Sequence, residues 1–226
     1  MKLFSLTNNL ENLHYGQAFR HAAATPLSSL VINLELAQEH QHIAKTPYVQ
    51  QALCNAYRLK ELFQKPQLLN SKKSFFVKPF LKEALRLAKY NSPEVVINSH
   101  LNFPHQTKLH GSRFYFQEAI ICTLKNAIES YISLNPGQNR IILVIGKVIN
   151  NHLYLSFTDG GQGMNWLEKS LMFADGYSNK SAGSGTGLTW VKKVIEQHFA
   201  GEIEVKSKKH QGTTMTWLLP LAQDKR

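Results

Sequence analysis

The chain is short of cysteine, of acidic residues and of long apolar runs, and each shortage removes a class of protein. Only Cys54 and Cys122 occur in 226 residues, both inside apolar helical patterns. That is too few for a disulfide framework, and a reducing compartment is the expectation. No apolar stretch approaches the roughly 20 residues that a membrane span needs. The N-terminal segment is too short in its apolar part for a secretory leader. The expected location is therefore cytoplasmic. Asp and Glu number 15 against 26 Lys and Arg, a net charge of +11. Such a balance turns a surface toward acidic partners, whether nucleic acid, an anionic membrane or an acidic protein. The lysines are scattered, however, with short clusters at Lys72-Lys73, Lys192-Lys193 and residues 206–209. Zinc-finger spacing and a basic stripe interleaved with aromatics are both missing, which disfavours nucleic acid.

What is present is enough for packed cores: 43% of residues are hydrophobic and 18% charged. The length admits one large domain or two small ones. In the first third, Leu27, Leu30, Leu34 and Ala37 recur at helical steps, flanked by Val31. Val49, Ala52, Leu53, Ala56, Leu59 and Phe63 repeat the pattern, and Thr46-Pro47 suits a helix start between them. Two helices with one apolar stripe each cannot enclose a core alone. Pairing with a second copy gives a four-helix bundle; the other reading packs the hairpin on its own chain. Pro66 and the polar residues 70–73 read as a linker, dividing a hairpin at 1–70 from a second domain at 71–226. In that domain the patterns predict strands at 75–77, 94–97, 141–149, 152–157, 202–205 and 213–219. They predict helices at 80–88, 114–134 and 188–199. The class is α+β: a helical hairpin, then an α/β sandwich with helices on one face of a mixed sheet.

Three glycine-marked segments carry the chemistry. Asp159-Gly160-Gly161-Gln162-Gly163-Met164 follows a strand. A carboxylate there can accept from a buried ligand amine, and bare glycines let the backbone come close; an ordinary glycine turn is the plainer reading. Gly183-Ser184-Gly185-Thr186-Gly187-Leu188 opens a helix, whose first N–H groups suit phosphate oxygens. It is neither a Walker A loop nor a dinucleotide fingerprint. Gly212-Thr213-Thr214-Met215 starts the last strand and alone reads as a turn. Upstream, Asn126-Ala127 lies on the long helix, where an asparagine oxygen suits a Mg²⁺ held mainly by phosphates and water.

The order of these segments resembles the N, G1, G2 and G3 boxes of the ATPase superfamily that contains gyrase, Hsp90, MutL and the histidine kinases. Phe173, between the glycine boxes, is similar to the kinase F box. The resemblance covers about residues 74–220. It implies that Asp159, with Gly161 and Gly163, binds the adenine amine. It implies that Asn126 holds Mg²⁺ and that a mobile lid of Gly183, Gly185, Thr186, Gly187 and Leu188 wraps the phosphates of ATP. Lys180 is then a phosphate contact, and Thr213 belongs to the third glycine box.

The N-terminal part selects the branch. Phe19, His21 and Thr25-Pro26-Leu27 fall in register with the histidine kinase H box, ahead of an amphipathic helix. The resemblance implies a two-component histidine kinase core that autophosphorylates on His21 and exchanges phosphate with an aspartate of a response-regulator receiver domain. Thr25 is then the residue that positions a water for dephosphorylating that partner. The implied assembly is a homodimer that takes its signal from a separate sensor protein. An imidazole nitrogen is nucleophilic near neutral pH, as phosphoramidate formation requires. Three residues depart from the pattern. Ala22 replaces the acidic residue after the histidine, Ala24 replaces a basic one, and Cys122 stands one turn before Asn126 where a first asparagine is common. Two alternatives stay open: an ATP-binding pseudokinase that docks a regulator, and a phosphotransfer protein on a kinase-like scaffold.

Overall fold

The computed structural model describes residues 73–92, 94–131, 139–177 and 186–223. They lie in a compact unit that runs from Ser71 to Arg226. The expected hairpin at 1–70, with His21 and Thr25, lies outside the described residues.

The unit opens with strand β1 (Ser74–Phe76) and helix α1 (Val77–Asn91), whose Val77, Leu81, Ala84, Leu85 and Ala88 form one buried stripe. Strands β2 (Val96–Asn102) and β3 (Lys108–His110) follow, and β3 pairs with β1. Helix α2 (Arg113–Glu129) starts at Ser112, whose hydroxyl accepts from the Tyr115 N–H at 3.3 Å. It is buried on most of its sides, as a helix wedged between a sheet and other helices must be.

Strands β4 (Ile141–Ile149) and β5 (His152–Asp159) form a hairpin whose turn, Asn150-Asn151, has φ of 46° and 60°. Helix α3 (Trp166–Leu171) and helix α4 (Gly187–Lys193) come next; α4 continues as one π-helical turn, Val194–His198. Strands β6 (Glu202–Lys208) and β7 (Gly212–Pro220) close the chain. The main sheet has the order β2-β4-β5-β7-β6, with β2 parallel to β4 and every other pair antiparallel. Ile142, Val144, Leu153, Leu155, Phe157, Met215, Trp217 and Leu219 alternate onto the buried face. The mixed sheet and one buried face match the expectation.

The differences are local. The expected helix at 114–134 ends at Glu129, because Tyr131 is drawn out to bond the sheet. The helix expected at 80–88 starts earlier, at Val77. The three-residue β3 and six-residue α3 are too short to show a period, although Asn165 and Glu168 form a capping box at α3. Among the described residues no helix is long and apolar enough to cross a membrane.

Candidate functional site

The site grows from the C-terminal end of α2, where it meets the end of β5. Asn126 Nδ2 donates to the Cys122 carbonyl at 2.9 Å and lies 3.9 Å from its Sγ. One turn on, Ser130 Oγ is 2.7 Å from the Ala127 carbonyl and 3.0 Å from Asp159 Oδ1. It has a single proton and serves one acceptor at a time. Tyr131 is 1% exposed. Its hydroxyl donates to the Ile141 carbonyl and accepts from the Gly160 N–H at 2.7 Å. The helix end is thereby tied to both the start of β4 and the end of β5. Burial pushes the Tyr131 phenol above its usual pKa, against the Gly160 hydrogen bond.

Asp159 ends β5, opposite Ile142 on one side and Thr213 on the other. It is 6% exposed. Oδ1 accepts from the Gly161 N–H at 2.9 Å and from Ser130. Burial pushes the carboxyl pKa up, and the Gly161 amide, the Ser130 hydroxyl and the Thr213 backbone oppose the rise. These partners are dipoles, not a counter-ion. Such a carboxylate retains a strong drive to accept from an incoming N–H donor.

The glycines here have work within the protein. Gly163 (φ +57°) and Gly212 (φ +87°) lie against the Lys208 and Asp159 carbonyls, where a Cβ would strike backbone. A Cβ on Gly161 would come within 2.6 Å of Ser130 Cβ. Ser207 Oγ accepts from the Met164 N–H at 2.8 Å and lies 2.8 Å from Thr213 Oγ1, so the Thr213 hydroxyl faces the β6 neighbour. The loop after β5 is thus held to the β6–β7 turn.

The start of α4 reaches the same place from the other side. A Cβ on Gly187 would stand 3.0 Å from Cys122 Sγ, one turn before Asn126. Thr186 is exposed and makes no side-chain cap; Leu188 is half-buried. Thr189 Oγ1 lies 3.0 Å from the Phe173 carbonyl and 3.2 Å from that of Ala174. Lys192 Nζ sits 5.2 Å from the Phe173 ring centroid. The expected residues Asn126, Asp159, Gly161, Gly163, Thr213, Gly187 and Leu188 therefore fall around the α2–β5–α4 junction. Lys180, Gly183 and Gly185 lie outside the described residues. Sequence reasoning missed Ser130 and Tyr131. Ser130 is one helical turn past Asn126, and that spacing was its only signal.

Residues 112–223 match the family model of histidine kinase-, DNA gyrase B- and HSP90-like ATPases, and this segment belongs to that family. The chain carries a histidine-kinase-type ATPase core. Sporulation kinase E of Bacillus subtilis is 33% identical over 48% of this chain and 14% of its own length. Sporulation kinase B of the same organism is 27% identical over 77% of this chain and 37% of its own length. That span exceeds the 71–226 unit, so the similarity enters the first 70 residues. The chain spans about a third or less of these relatives. The solved mycobacterial sensor histidine kinase MprB shares the fold, with a TM-score of 0.56 at 22% identity over 66% of this chain and 97% of that one.

Proposed function

We propose that the chain is the phosphotransfer core of a two-component histidine kinase, binding ATP with Mg²⁺ and phosphorylating itself on His21. The observation that carries the reading is Asp159: a buried carboxylate held by neutral donors, beside an asparagine helix and between two glycine segments. In this reading Asp159 accepts from the adenine amine, and Gly161 and Gly163 let the loop beside it pack closely on Ser130 and the Lys208 carbonyl. Asn126 offers a neutral oxygen to a Mg²⁺ that takes its other ligands from phosphates and water. Lys180, Gly183, Gly185, Thr186, Gly187 and Leu188 form the phosphate lid. Mg²⁺ supplies charge neutralisation at the phosphates; positioning falls to the protein. Two copies pair through residues 20–65. The phosphoryl group passes from His21 to a receiver-domain aspartate, and Thr25 serves the reverse, dephosphorylating reaction. The input comes from a separate protein, and the setting is cytoplasmic.

Asp159→Asn separates this reading from a purely structural one. The amide keeps acceptor geometry for Ser130 and Gly161 but loses the charge. Burial raises the folded pKa of Asp159, so the charged form opposes folding. Its stabilising share is complete below the unfolded pKa and lost as pH rises through the folded one. The variant is therefore expected to melt at or above the wild-type temperature at neutral pH. ATP affinity by calorimetry should fall about ten- to a hundredfold, the worth of a charge-assisted hydrogen bond. Unchanged affinity would remove the adenine role. Incubation with γ-³²P-ATP should then label the wild type and not His21→Ala. ATP binding without labelling favours the pseudokinase reading that Ala22 and Cys122 motivate, and label arriving only from a phosphorylated regulator favours the phosphotransfer one.

A further inference from the structure

The nucleotide-site helix α4 and the asparagine helix α2 run side by side in opposite directions. At one end Gly187 packs on Cys122 Sγ, next to Asn126. Midway, Trp190 meets the edge of Tyr115 with ring centroids 6.0 Å apart. At the far end, in the π-helical turn, His198 Nε2 accepts the Ser112 backbone N–H at 2.8 Å. Ser112 is the N-cap of α2. A π-helical turn is uncommon and often sits where function needs a side chain re-aimed; here it brings the imidazole onto a main-chain donor. The ring is enclosed by Tyr115 at 4.8 Å, Phe199 at 4.9 Å and Gly111, where a Cβ would lie 3.0 Å from Nε2.

We infer that His198 is a positioning residue for the nucleotide site, a pin that fixes the Gly187 end of α4 along α2 and is released when the imidazole is protonated. The inference rests on the nucleotide reading above. An Nε2 that accepts from an amide carries its neutral-state proton on Nδ1. Protonating Nε2 puts a second donor against the Ser112 N–H, and the bond is lost. The titratable groups that face the ring are His110 of β3 and the Tyr115 phenol of α2. Arg113 of α2 is turned onto the Phe80 ring, 5.2 Å away. On the helix itself, Lys192 reaches Glu196 and Lys193 reaches Asp175. Burial first, and then the His110 charge, hold the His198 pKa below the usual histidine value. The pin is therefore in place above the unfolded histidine pKa and is lost as pH falls through the lower folded one.

The test uses the full chain, ATP with Mg²⁺ as the probe, and His198→Gln, whose amide oxygen accepts without titrating. As pH falls from about 7.5 through the folded His198 titration, the wild type should lose about three- to tenfold more affinity than His198→Gln, the worth of one hydrogen bond. Titration of the nucleotide's own phosphates is common to both proteins and cancels. In ¹⁵N-labelled wild type, the Ser112 amide shift should follow the His198 titration. Parallel affinity profiles, or a Ser112 amide blind to pH in this range, overturn the inference. Absence of ATP binding at every pH would defeat the nucleotide reading instead. The wild-type Ser112 titration would still decide whether the pin exists, and it needs no variant to fold.

Discussion

The two ends of α2 are held by opposite means. Around its start, Phe75, Phe116 and Phe199 meet with centroids 5.6 to 6.3 Å apart, and Phe116 is fully buried. Around its end the contacts are polar: Ser130 to Asp159, Tyr131 to Gly160 and Ile141. Many weak, non-directional contacts dominate at the first end, beside the single His198–Ser112 hydrogen bond. A few directional bonds hold the second, and they converge on the buried Tyr131 and Asp159. Aromatic packing thus dominates away from the candidate site, and hydrogen bonding beside it.

Three substitutions probe that contrast. The largest effect is expected from Phe116→Ala, which removes a fully buried ring and should cost about 3–5 kcal/mol in chemical denaturation. Well below its midpoint, this variant should keep its ATP affinity within about twofold, since no site residue loses a bond. Tyr131→Phe removes one oxygen and is expected to cost about 0.5–1.5 kcal/mol, because the Gly160 N–H, on an exposed residue, exchanges the Tyr131 hydroxyl for water. Here affinity should fall along with stability, since Gly160 adjoins Asp159. Equal effects on affinity from the two variants would end the distinction between the ends. The smallest effect is expected from Lys206→Ala. Its 3.2 Å pair with Glu204 joins two largely exposed side chains, and the melting temperature should stay within error.

Legibility followed length and period. The nine-residue β4 was readable because branched residues fill it, and β7 because its apolar residues alternate. The turn at Asn150-Asn151 was readable because asparagine tolerates the left-handed region. β3 was not, since three residues show no alternation and its partner β1 lies over thirty residues away. The start of α1 was obscured by Pro79 and by Phe76, which caps without a side-chain bond. Within the site, Asp159 and Asn126 were legible because they sit in a spaced pattern of glycines and asparagine. Ser130, Tyr131 and His198 matter through partners 29 to 86 residues distant, and no local window contains such pairs.

By itself the sequence determined the class: periodic apolar residues specify which faces are buried, and the ordered boxes specify which ATPase family those faces belong to. Only the tertiary structure decided why the parts take their places. Gly163 and Gly212 are bare because β5 and the β6–β7 turn meet at backbone distance. Asp159 has a raised pKa because folding buries it, against the pull of its hydrogen-bond donors. His198 touches the start of α2 because a π-helical turn aims it there. Burial, clash and hydrogen-bond geometry depend on residues far apart along the chain, so they come into being only when the chain closes on itself.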